Sequence, residues 1–297
     1  KNNSKNYHLM SNKDLLDNIK KLREMTGVGF KDCKVALDET KGNIEKSVEF
    51  LRKKGIAKAS KKMNRTASEG LALVKEVNGQ ISIIEINSET DFVAKNQDFI
   101  NFCKELSDIN FTSKGNLENL KASKMANGIL VKDNLVNLIA KIGEKITIRR
   151  TNFFDSSVGS NYFYVHSAIE KNIGKIISVI KLDGIVKGKN EEIGIKIAMH
   201  IAASNPLAID KDGIDKNVVD KELEIIKAEI TNSGKPAEMA EKISKGKISK
   251  FLNDNSLLNQ MWIMDPKKRV SDILKEYSSG NEIKVLDFVK YKVGEGV

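Results

Sequence analysis

The sequence predicts an α+β fold with an N-terminal three-helix domain, a core of two α/β subdomains and a projecting helical hairpin. Residues 11–64 repeat apolar side chains at helical spacing, whereas two β-rich runs after residue 70 flank an Asn-Gly pair. A charged helical stretch between about residues 220 and 265 has few apolar residues for a packed core, which indicates projection. We therefore divide the chain into a helical domain and linker at 10–65, a first core subdomain at 66–155 and a second core subdomain at 156–297.

The first nine residues are polar and lack the apolar segment of a secretory signal. Met10 precedes Ser11 and Asp14, which form a capping-box-like pair at a helix start. We expect Met10 to be the native start and residues 1–9 to be an extension or a processing remnant, and an organelle transit remnant would look similar.

Three short helices are expected in the N-terminal domain. The second runs from about Lys31 to Thr40 and stops at Gly42, and the third ends at Gly55. The basic segment Arg52–Arg65 then reads as a linker to the core. The apolar positions that define the first and third helices are Leu15, Leu16, Ile19, Leu22, Ile44, Val48 and Leu51.

The first core subdomain begins with a predicted hairpin, because Asn78-Gly79 separates the runs 71–77 and 81–86. A helix from about Asn96 follows, and another helix ends near Gly143 before a strand at 145–150. The first of these helices should bury Phe99, Phe102, Cys103 and Leu106.

The second core subdomain repeats this plan loosely. Strands are expected at 162–166 and 175–182, followed by a helix at about 191–203 that Pro206 terminates. A final strand covers 283–293. The helical hairpin is expected to be interrupted at Ser233–Pro236 and again near Asn253–Ser256.

Composition and charge exclude several classes of protein. Hydrophobic residues make up 40% of the chain, and no apolar run reaches the roughly 18 residues of a membrane span. Cys33 and Cys103 are too few for a disulfide framework or a four-ligand zinc site, and they fit a reducing compartment. Fifty basic and 40 acidic residues give a net charge of +10, which favours an acidic partner without naming one.

The sequence offers no convincing catalytic set. Gly234-Lys235 lacks the spacing of a phosphate loop, and no dinucleotide fingerprint follows a predicted strand. The histidines His8, His166 and His200 lack metal-ligand spacing. His200 and Ser204 lie one helical turn apart, a spacing more typical of a local hydrogen bond than of a nucleophile and its base. We therefore expect no cofactor, no metal and no enzyme active site.

Two segments have unusual local chemistry. In the first, Asp91-Phe92 places a carboxylate beside a large apolar side chain at the start of a helix. The structural interpretation is an N-cap at Thr90 or Asp91 with Phe92 packed into the protein's own core. The second segment, Thr26–Lys34, reads as a helix–helix turn with Cys33 as an ordinary core residue.

Together these segments resemble the bacterial-type elongation factor Ts family over essentially residues 11–297. Each motif alone is weak, but their joint order and spacing are specific. The matching residues, in chain order, are Leu22-Arg23-Glu24, Thr26-Gly27-x-Gly29, Asp32-Cys33-Lys34, Ala36-Leu37, Lys53-Lys54-Gly55, Ala67–Gly70, Thr90–Ala94, Ile142-Gly143-Glu144, Arg149-Arg150, Tyr164-x-His166, His200–Ser204-x-Pro206, Ser233–Pro236 and Val293–Gly296.

The resemblance implies a guanine-nucleotide exchange factor for elongation factor Tu, the GTPase that delivers aminoacyl-tRNA to ribosomes. The nucleotide and its Mg²⁺ then belong to the partner, so the chain itself needs no nucleotide site, and neither a membrane nor a specific nucleic acid is expected as a partner. The resemblance further implies a cytoplasmic protein, or one in an organelle of bacterial descent, and leaves open homodimerisation and a two-to-two complex.

The resemblance also implies which residues act on the partner. A wedge would disrupt the partner's Mg²⁺ and phosphate contacts, promoting GDP release and GTP reloading; its residues are Thr90, Asp91, Phe92 and Val93. The three-helix (UBA-like) domain would dock through Leu22, Arg23 and Phe30, and His166 would make a second contact near the phosphate loop. The structural alternatives are that Leu22 is a core residue and that His166 is a hydrogen-bonded strand histidine.

A protein that binds RNA or the ribosome is the strongest alternative from another class, suggested by the net charge and by the basic run Arg52–Arg65. The sequence lacks an aromatic and basic strand of the RNP type and a KH-type Gly-x-x-Gly loop. A basic linker of this kind is usually a solvated surface.

Overall fold

The computed structural model describes residues 12–26, 28–232, 237–278 and 280–297. These residues form two compact units. The first contains the described residues up to Leu73, with Ser82–Asn152 and Val293–Val297, and the second contains the described residues of Val74–Ile81 and Phe153–Lys292. Several features expected from the sequence lie outside the described residues, namely the start at Met10, the cap at Ser11, the glycine at Gly27 and the interruption at Ser233–Pro236.

The first unit opens with the three expected helices, α1 (Asn12–Thr26), α2 (Phe30–Glu39) and α3 (Ile44–Ser60). Their apolar positions meet in one small core, as the helical spacing predicts, except Leu16, which is 55% exposed. The fully buried members of that core are Ile19, Leu22, Cys33, Ala36, Leu37 and Leu51.

The predicted end of the third helix at Gly55 is wrong, because α3 continues to Ser60 and includes much of the expected linker. The later helix α7 (Val131–Ile142) explains the glycine. A Cβ atom built on Gly55 would lie 3.3 Å from a methyl carbon of Val136, so the small residue lets α3 pack closely on α7. Gly55 therefore serves helix packing rather than helix termination.

The hairpin expected around Asn78-Gly79 is formed by β1 (Glu69–Val77) and β2 (Gln80–Ser88). Both turn residues have positive φ, 52° at Asn78 and 76° at Gly79, as a tight two-residue hairpin requires. The elements that follow are α4 (Asp91–Ala94), α5 (Gln97–Thr112), α6 (Leu117–Ala122), α7, β3 (Ile146–Phe154), β4 (Ser160–His166) and β5 (Ile173–Gly174). The four-stranded sheet has the order β3-β2-β1-β5.

In the second unit, β4 pairs antiparallel with β6 (Ile176–Asp183), and β6 pairs antiparallel with β9 (Lys284–Lys292). Helix α8 (Glu192–Ser204) packs on this three-stranded sheet, where the ring of Tyr162 fills the space beside Gly194. The core between them contains Ile180, Leu182, Ile193, Ile197 and Ile201.

The helical hairpin consists of α9 (Lys216–Asn232) and α10 (Ala237–Asn255). Only Ile226 and Ile230 are buried among the described side chains of these two helices, in agreement with the few apolar residues of this stretch. The expected helix to about residue 265 is wrong beyond Asn255. A 3-10 turn, the short hairpin β7 (Met261–Trp262) and β8 (Asp265–Arg269), and α11 (Val270–Tyr277) follow, because Leu257, Trp262, Val270, Ile273 and Leu274 enter the core under α8.

Among the described residues, no helix combines the length and the apolar character needed to cross a membrane.

Candidate functional site

The turn after β2 carries the acidic and apolar pair that the sequence singles out. Helix α4 is only four residues long, and its consecutive side chains point in different directions. Val93 and Ala94 are buried, whereas 78% of the Phe92 surface is exposed. The interpretation that Phe92 packs into the protein's own core is therefore wrong, and the turn presents a large apolar side chain to solvent.

Thr90 occupies the N-cap position of α4 with an extended backbone, but its side chain makes no capping hydrogen bond. Its hydroxyl donates instead to one carboxylate oxygen of Glu144 at 2.8 Å, and its N–H donates to the other oxygen at 3.0 Å. Glu144 follows Gly143, which ends α7 in the left-handed conformation at φ 87°. The expected helix end at Gly143 is confirmed, and it delivers Glu144 to the turn.

Asp91 lies on the exposed side of the turn. Its Oδ2 accepts a hydrogen bond from Lys95 Nζ at 2.7 Å, and the side chains of Asp91 and Lys95 are 48% and 69% exposed. An exposed pair of this kind contributes at most about 1 kcal/mol to stability. The pair with Lys95 therefore adds little to the stability of the turn.

Glu89, on the inner side of the turn, binds the same loop as Thr90. It accepts from the N–H of Lys145 at 2.5 Å and forms an ion pair with Arg65 at 3.2 Å. Desolvation alone would raise the pKa of Glu89, but the Lys145 N–H and Arg65 outweigh it and hold the pKa below its ordinary value. The sequence did not single out these contacts, because the partners lie 24 to 56 residues apart.

Glu85, a carboxylate within β2, has a structural role. Glu85 is completely buried, where it accepts from Arg149 at 2.9 Å, Arg150 at 2.5 Å and the N–H of Gly294 at 2.9 Å. Desolvation opposes its charge, but these three donors hold the pKa of Glu85 below its ordinary value. With its oxygens occupied by these donors, Glu85 ties β3 and the segment after Lys292 to β2.

The helical domain presents two of its three expected docking residues. Arg23 is exposed on α1, and Phe30 is 47% exposed at the first residue of α2. Leu22 has no exposed surface and lies in the three-helix core. The expectation that Leu22 contacts the partner is therefore wrong. Leu22 is a core residue, which is the alternative that the sequence also allowed.

His166 belongs to the second unit, where it ends β4 with an exposed side chain. Its Nδ1 lies 3.2 Å from the hydroxyl of Tyr164, two residues earlier on the same face. His166 is thus a hydrogen-bonded strand histidine whose exposed ring is also available to a partner.

Among the described residues, the other histidines and acidic or cysteine side chains form no alternative site. His200 is buried, and its ring stacks on Trp262. Its Nε2 lies 3.0 Å from Gln260 Oε1, so these contacts give His200 a role in the structure of the core. In the part of the chain that the structure describes, no group of three or more His, Cys, Asp or Glu residues could hold a metal ion. The exposed turn is the feature of the described residues that most resembles a functional site.

Comparison with known proteins supports the resemblance. A family model described as Elongation factor TS matches residues 89–295, more than half of the chain. Proteins named Elongation factor Ts from Rickettsia felis and Rickettsia prowazekii are 40% and 41% identical over 284 residues, which is 94% of this chain and 91% of theirs. The protein of that name from Methylobacterium nodulans is 42% identical over 284 residues, 94% of this chain and 92% of its own.

Proposed function

The chain belongs to the elongation factor Ts family, and we propose that the exposed turn at Thr90, Asp91, Phe92 and Val93 carries its activity. It is a translation elongation factor that acts as the guanine-nucleotide exchange factor for elongation factor Tu, and it is not a catalytic enzyme in the usual sense. The observation that supports this assignment of the turn is the exposure of Phe92 directly beside the carboxylate of Asp91.

Nucleotide exchange requires energy that the chain must supply by binding. In a GTPase, GDP is held by a phosphate loop, a lysine and Mg²⁺. A factor that binds the nucleotide-free partner more tightly than the GDP-bound partner weakens GDP binding by the same ratio, because the coupling is reciprocal. The nucleotide site and the Mg²⁺ are then the partner's, and the chain contributes only contacts that compete with them.

Phe92 can supply a substantial share of this energy. Transfer of an exposed phenyl side chain from water into an apolar slot is worth about 2–3 kcal/mol. That energy corresponds to roughly a 30-fold to 150-fold change in an equilibrium constant. We propose that Phe92 inserts between elements of the partner near its Mg²⁺ site and that the buried Val93 supports the turn from behind.

Asp91 supplies the polar part of the same contact. Its side chain is 48% exposed and its pair with Lys95 is weak, so the carboxylate can meet donors of the partner or disfavour phosphate oxygens by charge repulsion. We propose that Asp91 acts beside the Mg²⁺ site in this way.

Docking residues would hold the wedge against the partner. We propose that Phe30 and Arg23 contact the partner's nucleotide-binding domain, since both are exposed on the helical domain. We propose His166 as a second contact near the phosphate loop. The activity would take place where elongation factor Tu works, in the cytoplasm of a bacterium or in an organelle of bacterial descent.

Release of fluorescent GDP from purified elongation factor Tu tests this function. We expect the wild-type chain to accelerate release strongly. Asp91→Ala/Phe92→Ala should lower the acceleration by roughly 30-fold or more, since it removes both the apolar and the charged group of the wedge. The matched control is Val158→Ala, which truncates another exposed apolar side chain, 58% exposed and outside the proposed site, and should change nothing.

Each outcome of this assay decides a separate point. Acceleration that Asp91→Ala/Phe92→Ala retains would move the site elsewhere, and His166→Ala would be tested next. A folded wild-type chain that leaves GDP release from its cognate partner unchanged would reject the exchange function itself.

A further inference from the structure

We infer that Glu144 is a positioning residue for nucleotide exchange, because its carboxylate fixes the turn that presents Asp91 and Phe92. This inference rests on the proposed function of the turn. The observation that carries it is the double hydrogen bond from Thr90, whose N–H and hydroxyl donate to the two different oxygens of Glu144 at 3.0 and 2.8 Å.

The turn has few internal contacts that could order it, among them a hydrogen bond from the Ser88 hydroxyl to the carbonyl of Thr90 at 3.0 Å. Helix α4 has four residues, far below the length at which an isolated helix is stable in water. Its N-cap side chain makes no capping bond, and the internal pair between Asp91 and Lys95 is exposed and weak. Order must therefore come from contacts outside the turn, and Glu144 provides two charge-assisted hydrogen bonds at the residue directly before Asp91.

A reciprocal bond completes this arrangement. Glu89, in the turn, accepts from the N–H of Lys145, while Glu144, beside Lys145, accepts from the N–H of Thr90. The adjacent residues Glu89 and Thr90 thus bind the adjacent residues Lys145 and Glu144. Such pairing restricts both the position and the direction of the backbone that enters α4, so the side chain of Phe92 is held pointing away from the core.

The chain leaving the helical domain binds at the same place. Lys62 donates to the carbonyl of Gly143, Lys145 Nζ donates to the carbonyl of Arg65 at 2.7 Å, and Arg65 pairs with Glu89. The Glu89–Glu144 contacts therefore fix the wedge with respect to the segment that follows α3. A partner that binds the helical domain would meet Phe92 already in place.

The consequence for exchange is a population effect. If loss of Glu144 leaves the insertion-competent turn populated about one-tenth of the time, the maximal rate of GDP release falls by about the same factor. Docking through the helical domain does not use Glu144, so the concentration of factor that gives half-maximal release should change little. A general loss of folded protein would instead reduce the active concentration and lower the thermal midpoint.

The experiment measures GDP release over a range of factor concentrations for four variants and the wild type. Glu144→Ala should lower the maximal rate about tenfold and leave the half-saturating concentration within about twofold. Thr90→Val, which removes only the hydroxyl donor, should lower the maximal rate about threefold, and Thr90→Ser should restore the wild-type rate because it keeps that donor. Glu118→Ala is the matched control, since Glu118 is an exposed acid that pairs with Lys121.

Hydrogen exchange at the Thr90 amide, measured by NMR, gives a readout that does not depend on activity. Glu144→Ala should speed this exchange at least tenfold, and Glu118→Ala should not. A maximal rate within twofold of the wild type for Glu144→Ala, unchanged exchange at the Thr90 amide, or equal rates for Thr90→Val and Thr90→Ser would each overturn the inference. If Glu144→Ala fails to fold, the maximal rates of Thr90→Val and Thr90→Ser test the inference in its place.

Failure of the proposed function would look different. In that case the wild-type chain would leave GDP release unchanged, which overturns any role of Glu144 in exchange. The Thr90 amide would still report whether Glu144 orders the turn.

Discussion

Two phenylalanines in neighbouring elements show how position decides the role of a residue. Phe99 on α5 is completely buried and was expected to be, because it lies on the apolar face of a long periodic helix. Phe92 on α4 is 78% exposed. A four-residue helix has too few positions to define an apolar face, so the sequence left both an N-cap and a wedge open at Phe92. The direction of the α4 side chains excludes burial of Phe92 in the protein's own core, and the wedge stays a prediction.

His200 has a lowered pKa because burial disfavours the charged imidazolium, an effect that the hydrogen bond to Gln260 only partly opposes. The unfolded chain, with a histidine pKa near 6.5, then binds more protons than the folded chain at mildly acidic pH. The contribution of His200 to stability is complete above about pH 6.5 and is lost as the pH falls below it. We expect the free energy of unfolding to decrease between pH 7.5 and 5.5 because of this group.

Urea unfolding at the two pH values tests this expectation. His200→Asn should remove most of that pH dependence, whatever its effect on absolute stability. His166→Asn, at an exposed histidine, should retain it and serves as the control. Equal pH dependence in the wild type and in His200→Asn would contradict the assignment.

At the scale of elements, glycines mark two different structural needs. Gly143 has φ 87° and ends α7, so the sequence prediction of a helix end there is confirmed. Gly55 lies inside α3, where the absence of a side chain allows close packing on α7. A helix end and a close helix crossing both favour glycine, so the sequence alone could not separate them, and the prediction failed at Gly55.

Gly143 and Gly29 form a matched pair for testing the helix end. A Cβ atom at either position would meet no atom within 4 Å, but Gly143 has positive φ whereas Gly29 has φ −65°. Gly143→Ala should therefore lower the free energy of unfolding by about 1–2 kcal/mol through backbone strain. Gly29→Ala introduces no backbone strain and should cost less, through the poorer N-cap preference of alanine at the start of α2. Denaturant unfolding measures both, and equal effects would show that backbone conformation is not the cause.

At the scale of the whole molecule, the net charge of +10 raises the question of nucleic-acid binding. Nucleic-acid binding was also suggested by the basic segment Arg52–Arg65, but some of these residues form ion pairs within the fold. Lys54 and Lys58 both pair with Asp32, at 3.0 and 3.1 Å, and Arg65 pairs with Glu89. These three basic side chains therefore contribute to ion pairs within the first unit.

We expect weak, non-specific binding to single-stranded RNA that falls roughly tenfold or more between 50 and 200 mM salt, as counterion release requires. Asp91→Ala/Phe92→Ala should leave this binding within about twofold, because it removes no positive charge. Titration of a labelled RNA at several salt concentrations measures it. Nanomolar RNA affinity at 150 mM salt, together with absent exchange activity, would favour the RNA-binding alternative.

Four features could be predicted without the structure: the helical N-terminal domain, the Asn78-Gly79 hairpin, the helix end at Gly143 and the family. These features depend on local periodicity, on backbone preferences of single residues and on the order of motifs. The tertiary structure alone decided that Phe92 is exposed, that Leu22 is buried and that Glu144 binds Thr90. Contacts between residues 54 positions apart depend on how separate elements pack, and no local pattern encodes them.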